Sequence, residues 1–271
     1  FLRPTEPGTT LGQIQFVGEP RPFPALPSSG SEPDWLARDA SKLWRYNLHY
    51  FDFLGWSAFS AQAKAELINS WIARVPVGAQ DAWEPYPISL RVVNWLKCGL
   101  MSSTGAVASV WLASLAHQVA ALERDLEYHL LANHLLKNGK ALVFAGIYCE
   151  GNAAQRWLAR GLEIVLAEAK EQVLPDGGHV ERSPMYHCIA LEDYLDLVNL
   201  LDSNPELVAS EARVTLRDVA RRATAFLHGI RNGTDDIPLF NDAAFAITPP
   251  ANAVLAYASR VLGSDMPESG R

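Results

Sequence analysis

The sequence predicts an all-α fold of stacked helix pairs, and three observations carry that reading. Eight amphipathic blocks follow in series at roughly 58–74, 87–103, 106–126, 130–148, 152–172, 185–203, 207–230 and 252–262, each bounded by Gly, Pro, Asn or Ser. Strand signals are few. "GGHVERS" and "IPLFNDAAFAI" are the best, and either suits a short hairpin between helices. Helix after helix of similar length, with no strict repeat, is what a solenoid or a toroid of helical hairpins requires.

Taken in order, residues 1–34 hold seven of the 17 prolines and little periodicity, so they read as an irregular, extended lead-in. "LWRYNLHYFDFLGW" (43–56) is dense in aromatics and reads as a partly irregular segment packed at one end of the helical domain. In 106–126, Val107, Val110, Trp111, Leu115, Val119 and Leu122 recur at helical spacing; Trp157, Leu158, Leu162, Val165 and Leu166 do so in 152–172. The helical domain spans 35–262. "GSDMPESGR" (263–271) reads as the start of a polar linker rather than a terminal cap.

Composition narrows the function. The net charge of −7 does not attract nucleic acid, and no basic run interleaved with aromatics argues otherwise. No apolar stretch reaches the length of a membrane span. Cys98, Cys149 and Cys188 form no C-x-x-C pair, against a thiolate zinc site, and their odd number argues against a full disulfide framework. No metal constellation or cofactor motif is visible.

Three segments could carry chemistry. In "EYHLLANHLLKNGKAL" (127–142), Asn133, Lys137 and Lys140 share one helical face, with His134 and Asn138 beside it. Such a line is either a solvated face with core amides or the wall of a cleft. In "DGGHVERSPMYHCIALEDYLDL" (176–197), Ser183 suits an N-cap and Pro184 the first helical position, which puts Tyr186 in the first turn. The helix dipole there favours an anion, so the phenol is expected to ionise more readily, and Arg182 is adjacent. In "DAWEPYPISLRVVNWLK" (81–97), Trp83 and Tyr86 offer flat faces to sugar rings, with Arg91 on the following helix; Trp95 reads as core.

The order "AWEPYPISLRVVNWLK", "EYHLLANHLLKNGKAL", "GGHVERSPMYH" and "FNDAAFAI" resembles the N-terminal helical domain of heparinase II/III-like polysaccharide lyases, with alginate lyases sharing the layout. The Asn-His pair and the Ser-x-x-Tyr-His are the most specific parts. The resemblance implies an incomplete (α/α) toroid followed by a C-terminal β-sheet domain, a periplasmic or secreted bacterial protein, and cleavage of an acidic, uronic-acid-containing polysaccharide by β-elimination. It implies that Asn133 and His134 neutralise the uronate carboxylate and that Tyr186 is the general acid, or both acid and base for one C5 epimer. Trp83, Tyr86, Arg91, Lys137, Lys140, Arg182 and His187 are candidate substrate contacts. The family takes a further proton-transfer group from its β-domain, so the chain is expected to be a fragment with little activity alone. Two other readings compete. One is a glycoside hydrolase on an (α/α) barrel, drawing its carboxyl pair from Glu84, Glu150, Glu181 and Asp193. The other is a non-catalytic glycan-binding domain.

Overall fold

The computed structural model describes residues 13–23, 32–102, 106–130, 133–231, 236–244 and 247–267. The chain divides into two compact units. The N-terminal unit takes residues 6–127 and 144–157. Among the described residues, the C-terminal unit takes 128–143 and those from 158 onward.

In the N-terminal unit, β1 (Gln13–Phe16) pairs antiparallel with β2 (Glu19–Pro22), in register from Gln13 opposite Pro22 to Phe16 opposite Glu19. Val17 and Gly18 close the turn with φ of 53° and 78°, the backbone that a two-residue hairpin needs. This hairpin lies inside the lead-in expected to be irregular. Its prolines occupy a two-stranded ribbon, where a missing ladder donor is tolerated. The aromatic segment that follows is also more regular than expected. Ser41 caps α1 (Lys42–Tyr50), its hydroxyl accepting from Trp44 N at 3.2 Å. The helix stops where Phe51 turns left-handed (φ 63°), and a 3₁₀ turn covers Asp52–Gly55.

Ser60 caps α2 (Ala61–Arg74), and Pro85 opens α3 (Pro85–Leu100), followed by α4 (Ser109–Arg124). Phe16, Phe23, Trp35, Phe51, Phe53, Trp71 and Trp95 form a buried aromatic core. Trp95 is there as expected, edge-on to Phe51 and Trp71 at ring separations of 5.3 Å. Edge contacts of this kind add about 0.5–1.5 kcal/mol each beyond area burial.

The remaining helices are α5 (Asn133–Tyr148), α6 (Asn152–Gln172), α7 (Pro184–Asp202), α8 (Ser210–Ile230) and α9 (Ala251–Leu262). All eight sequence blocks are helices, with ends shifted by only a few residues. In the C-terminal unit, α5 and α6 meet where both carry glycine. A Cβ on Gly139 would lie 2.7 Å from the Ile164 side chain, and one on Gly161 would lie 2.7 Å from Val143 N. Helix α7 is buried on nearly every face and packs on α8 and α9.

The two expected hairpin segments are loops among the described residues. In the first, only His179 bridges, to Val173. Gly177 (φ +90°) presses on α8, where a Cβ would lie 2.2 Å from the Arg222 carbonyl oxygen, so close packing dictates its path. In the second, residues 236–244 form no strand; residues 245 and 246 lie outside the described set. Its polar groups are spent on the start of α7: Asn241 Nδ2 donates to the Arg182 carbonyl at 2.6 Å.

Candidate functional site

The start of α7 is built as its sequence foretold. Ser183 Oγ accepts from Tyr186 N at 3.4 Å and donates to the Asp242 carbonyl at 3.0 Å. Pro184 follows, and Tyr186 is half-buried in the first turn. Arg182 is exposed beside it, in a left-handed conformation (φ 53°). Asp242 and Glu181 were not foreseen as neighbours of the phenol. Burial, the charges of Asp242 and Glu181, and a hydrogen bond to Asp242 together raise the Tyr186 pKa. This reverses the expectation of an easily ionised phenol: burial first, and then the two carboxylates, disfavour the phenolate. The group keeps its proton. Glu181 is itself raised, by burial and by Asp242.

Helix α5 carries the polar line, and the structure divides it. Asn133 and His134 are half-buried in its first turn, whereas Asn138 and Lys140 are buried. Lys137 and Lys140 both reach Asp193 Oδ1 at 2.8 Å, and Lys140 also reaches Asp196. Tyr257 of α9 donates to Asp196 Oδ1 at 2.9 Å. Burial would raise Asp193, but the two lysines hold it below the usual carboxylate range. Burial would lower Lys140, but the two aspartates raise it. Lys140 is thus a correction: its ammonium is spent inside the protein and does not face a substrate. Lys137 keeps 15% of its side-chain surface exposed and shares the same carboxylate.

Two further candidates are corrected by burial. His187 is 3% exposed, donates from Nε2 to the Ala223 carbonyl at 3.0 Å, and packs against Phe226. Burial lowers its pKa to about 4, so it is a neutral core histidine joining α7 to α8. Arg91 has no exposed surface. It donates to Gln118 Oε1 at 2.7 Å and to the carbonyls of His49 and Ala82 at 3.1 and 2.8 Å, and its guanidinium lies 4.2 Å over the Trp71 ring. With its donors spent on the scaffold, it offers nothing to a polyanion.

Trp83 and Tyr86, like Arg91, belong to the N-terminal unit. Both are half-buried; Trp83 stacks on Trp71 (6.4 Å, 26°) and Tyr86 meets Tyr50 edge-on at 5.7 Å. A cavity of about 550 Å³ in that unit is lined by Leu36, Arg38, Arg45, Gln80 and Asp81 among others and includes none of the expected site residues. Of the carboxylates a hydrolase would need, Asp193 is buried between lysines, and Glu84 accepts from Lys42 and Tyr46. Among the described residues, no group of three or more His, Cys, Asp or Glu could hold a metal ion, and no helix is long and apolar enough to cross a membrane.

The family model "Heparinase II/III N-terminus" matches residues 30–257. The chain belongs to this family. A heparin-sulfate lyase of Bacteroides thetaiotaomicron is 24% identical over 252 residues, 82% of this chain and 35% of that protein. The heparin-sulfate lyase of Pedobacter heparinus is 30% identical over 138 residues, 47% of this chain and 21% of that protein. Among solved structures, a heparan sulfate lyase of Pedobacter heparinus superposes with a TM-score of 0.63 at 22% identity, covering 93% of this chain and 41% of that one. A heparinase III structure gives 0.60 at 21% identity, covering 87% and 39%. These likenesses bear out the helical-toroid fold class expected from the sequence. The chain thus spans about a third of the first relative's length and two fifths of these solved chains.

Proposed function

We propose that this family member is the helical part of a polysaccharide lyase that cleaves a uronic-acid-containing polymer by β-elimination, with its site at the starts of α5 and α7. The observation that carries the reading is Tyr186: a phenol in the first turn of α7, held protonated beside Asp242 and Glu181. A tyrosine there, protonated at neutral pH as phenols ordinarily are, is placed to serve as a general acid. The relatives' names, heparin-sulfate lyase, point to a glycosaminoglycan of that kind as substrate.

In this reading Asn133 and His134 donate to the uronate carboxylate. Their hydrogen bonds strengthen as charge moves onto it. The C5–H bond breaks, its electron pair forms the C4–C5 double bond, and the C4–O bond breaks with the Tyr186 proton passing to the leaving oxygen. The base that takes the C5 proton comes from the C-terminal β-sheet domain implied by the resemblance. Arg182, exposed at the same turn, holds an anionic group of the polymer; within the N-terminal unit, Trp83 and Tyr86 offer a sugar-stacking surface of their own. A polymer substrate is consistent with the periplasmic or secreted location that the resemblance implies.

The test is Tyr186→Phe in the full-length protein, assayed on heparan sulfate and other uronate polymers for ultraviolet-absorbing unsaturated product. Turnover should fall by about 10²-fold or more with folding retained. Near-native turnover would remove Tyr186 from the mechanism.

A further inference from the structure

Lys140 and Asp193 form an ion pair deep in the C-terminal unit, and each sits seven residues beyond a proposed site residue: 133 to 140 on α5, 186 to 193 on α7. Seven residues are nearly two full turns, so Asn133 shares a helical face with Lys140, and Tyr186 with Asp193, about 10 Å apart along each axis. Lys137 pairs with Asp193, and Lys140 with Asp193 and Asp196. Residue numbers therefore rise together along the two helices, and Asn133 and Tyr186 lie toward the same end.

We propose that the Lys137–Lys140–Asp193–Asp196 cluster is the positioning device of the lyase site, setting the separation between Asn133 on α5 and Tyr186 on α7. The inference rests on the lyase reading given above. Two lysines and two aspartates cancel in charge, and Asp193 and Lys140 are buried (1% and 7% of side-chain surface exposed). Interdigitated apolar side chains set a helix spacing by close packing, but each dispersion contact has little direction of its own. Charge-assisted hydrogen bonds to one shared carboxylate oxygen fix both rotation and rise. Tyr257, donating to Asp196, ties the cluster to α9. The elimination needs the carboxylate donors and the acid at set points around one sugar ring, and a displacement of about 1 Å at such a site can cost 10²-fold in rate.

The experiment uses the full-length protein, assayed on heparan sulfate for unsaturated product. Lys140→Met combined with Asp196→Leu removes one charge of each sign, leaves Lys137 paired with Asp193, and changes only buried side chains. The expected result is a kcat reduced about tenfold or more and KM within about twofold in a variant that still unfolds cooperatively, its melting temperature lowered by no more than loss of the Tyr257–Asp196 hydrogen bond accounts for. Asp193→Asn should lower kcat further in whatever fraction folds. Native kcat in the folded double variant overturns the positioning role while leaving the lyase reading intact. A parallel rise in KM with kcat unchanged overturns it too, since that marks lost binding. A wild-type protein that releases no unsaturated product from any uronate polymer overturns the lyase reading and this inference with it.

Discussion

The buried cation of the N-terminal unit is Arg91, whose guanidinium is met by one amide, two backbone carbonyls and the face of Trp71. Its counterpart in the C-terminal unit is Lys140, met by two carboxylates. The electrostatic results are opposite. Burial lowers Arg91 to about 9, whereas the aspartates raise Lys140 against the same penalty. A guanidinium spreads its charge over a planar fork, so neutral acceptors arranged around its edge can satisfy it. An ammonium is a compact charge and calls for an opposite one when dehydrated. The first arrangement braces a core; the second sets a register between helices.

The sharpest way to break this contrast is Asp193→Ala, which removes the carboxylate shared by two ammonium groups and leaves Lys140 its pairing with Asp196. It should cost about 3–5 kcal/mol in denaturant unfolding, as expected when one partner of a buried ion pair is removed. A loss below about 1 kcal/mol would mean that the lysines reach water. Arg91→Met should cost less, about 2–3 kcal/mol, because it leaves neutral acceptors rather than a charge without partners. Equal losses at the two positions would erase the distinction.

The smallest effect concerns the histidines that each unit buries neutral. Burial lowers His49 to about 3, and His179 and His187 to about 4, from an ordinary 6.5. Because the folded values are depressed, the unfolded chain binds protons first as pH falls. Stability is full above about 6.5 and declines toward the folded values. Between pH 7 and pH 5 each histidine should contribute a loss of about 2 kcal/mol. His187→Gln should flatten that pH dependence in unfolding curves. An unchanged slope would show that His187 does not take part in it.

Much of the fold was legible because helical periodicity and caps are local signals. Ser183 and Pro184 announced the start of α7, and with it the place of Tyr186. What escaped was set by contacts distant in sequence. Nothing near Tyr186 in the chain reveals that Asp242 lies beside its hydroxyl, and nothing near Lys140 reveals Asp193 and Asp196. A polar stripe reads the same whether its partner is solvent, substrate or another helix. Arg91 illustrates the same limit, since its acceptors are two backbone carbonyls and a glutamine from separate segments. The lead-in hairpin was hidden for a different reason: proline content outweighed a four-residue strand with a Val-Gly turn.

The close meeting of Gly139 and Gly161 bears on how the family member can change by mutation. Gly139 sits one residue before Lys140, and a methyl group at either glycine would have to push α5 and α6 apart. Such a push would shift the lysine that pairs with Asp193, so a small steric change at a chemically silent position would be felt at the site. In a library randomised at both codons and selected for activity, glycine should be retained at each. Selected for folding alone, alanine should return more readily than it does under selection for turnover.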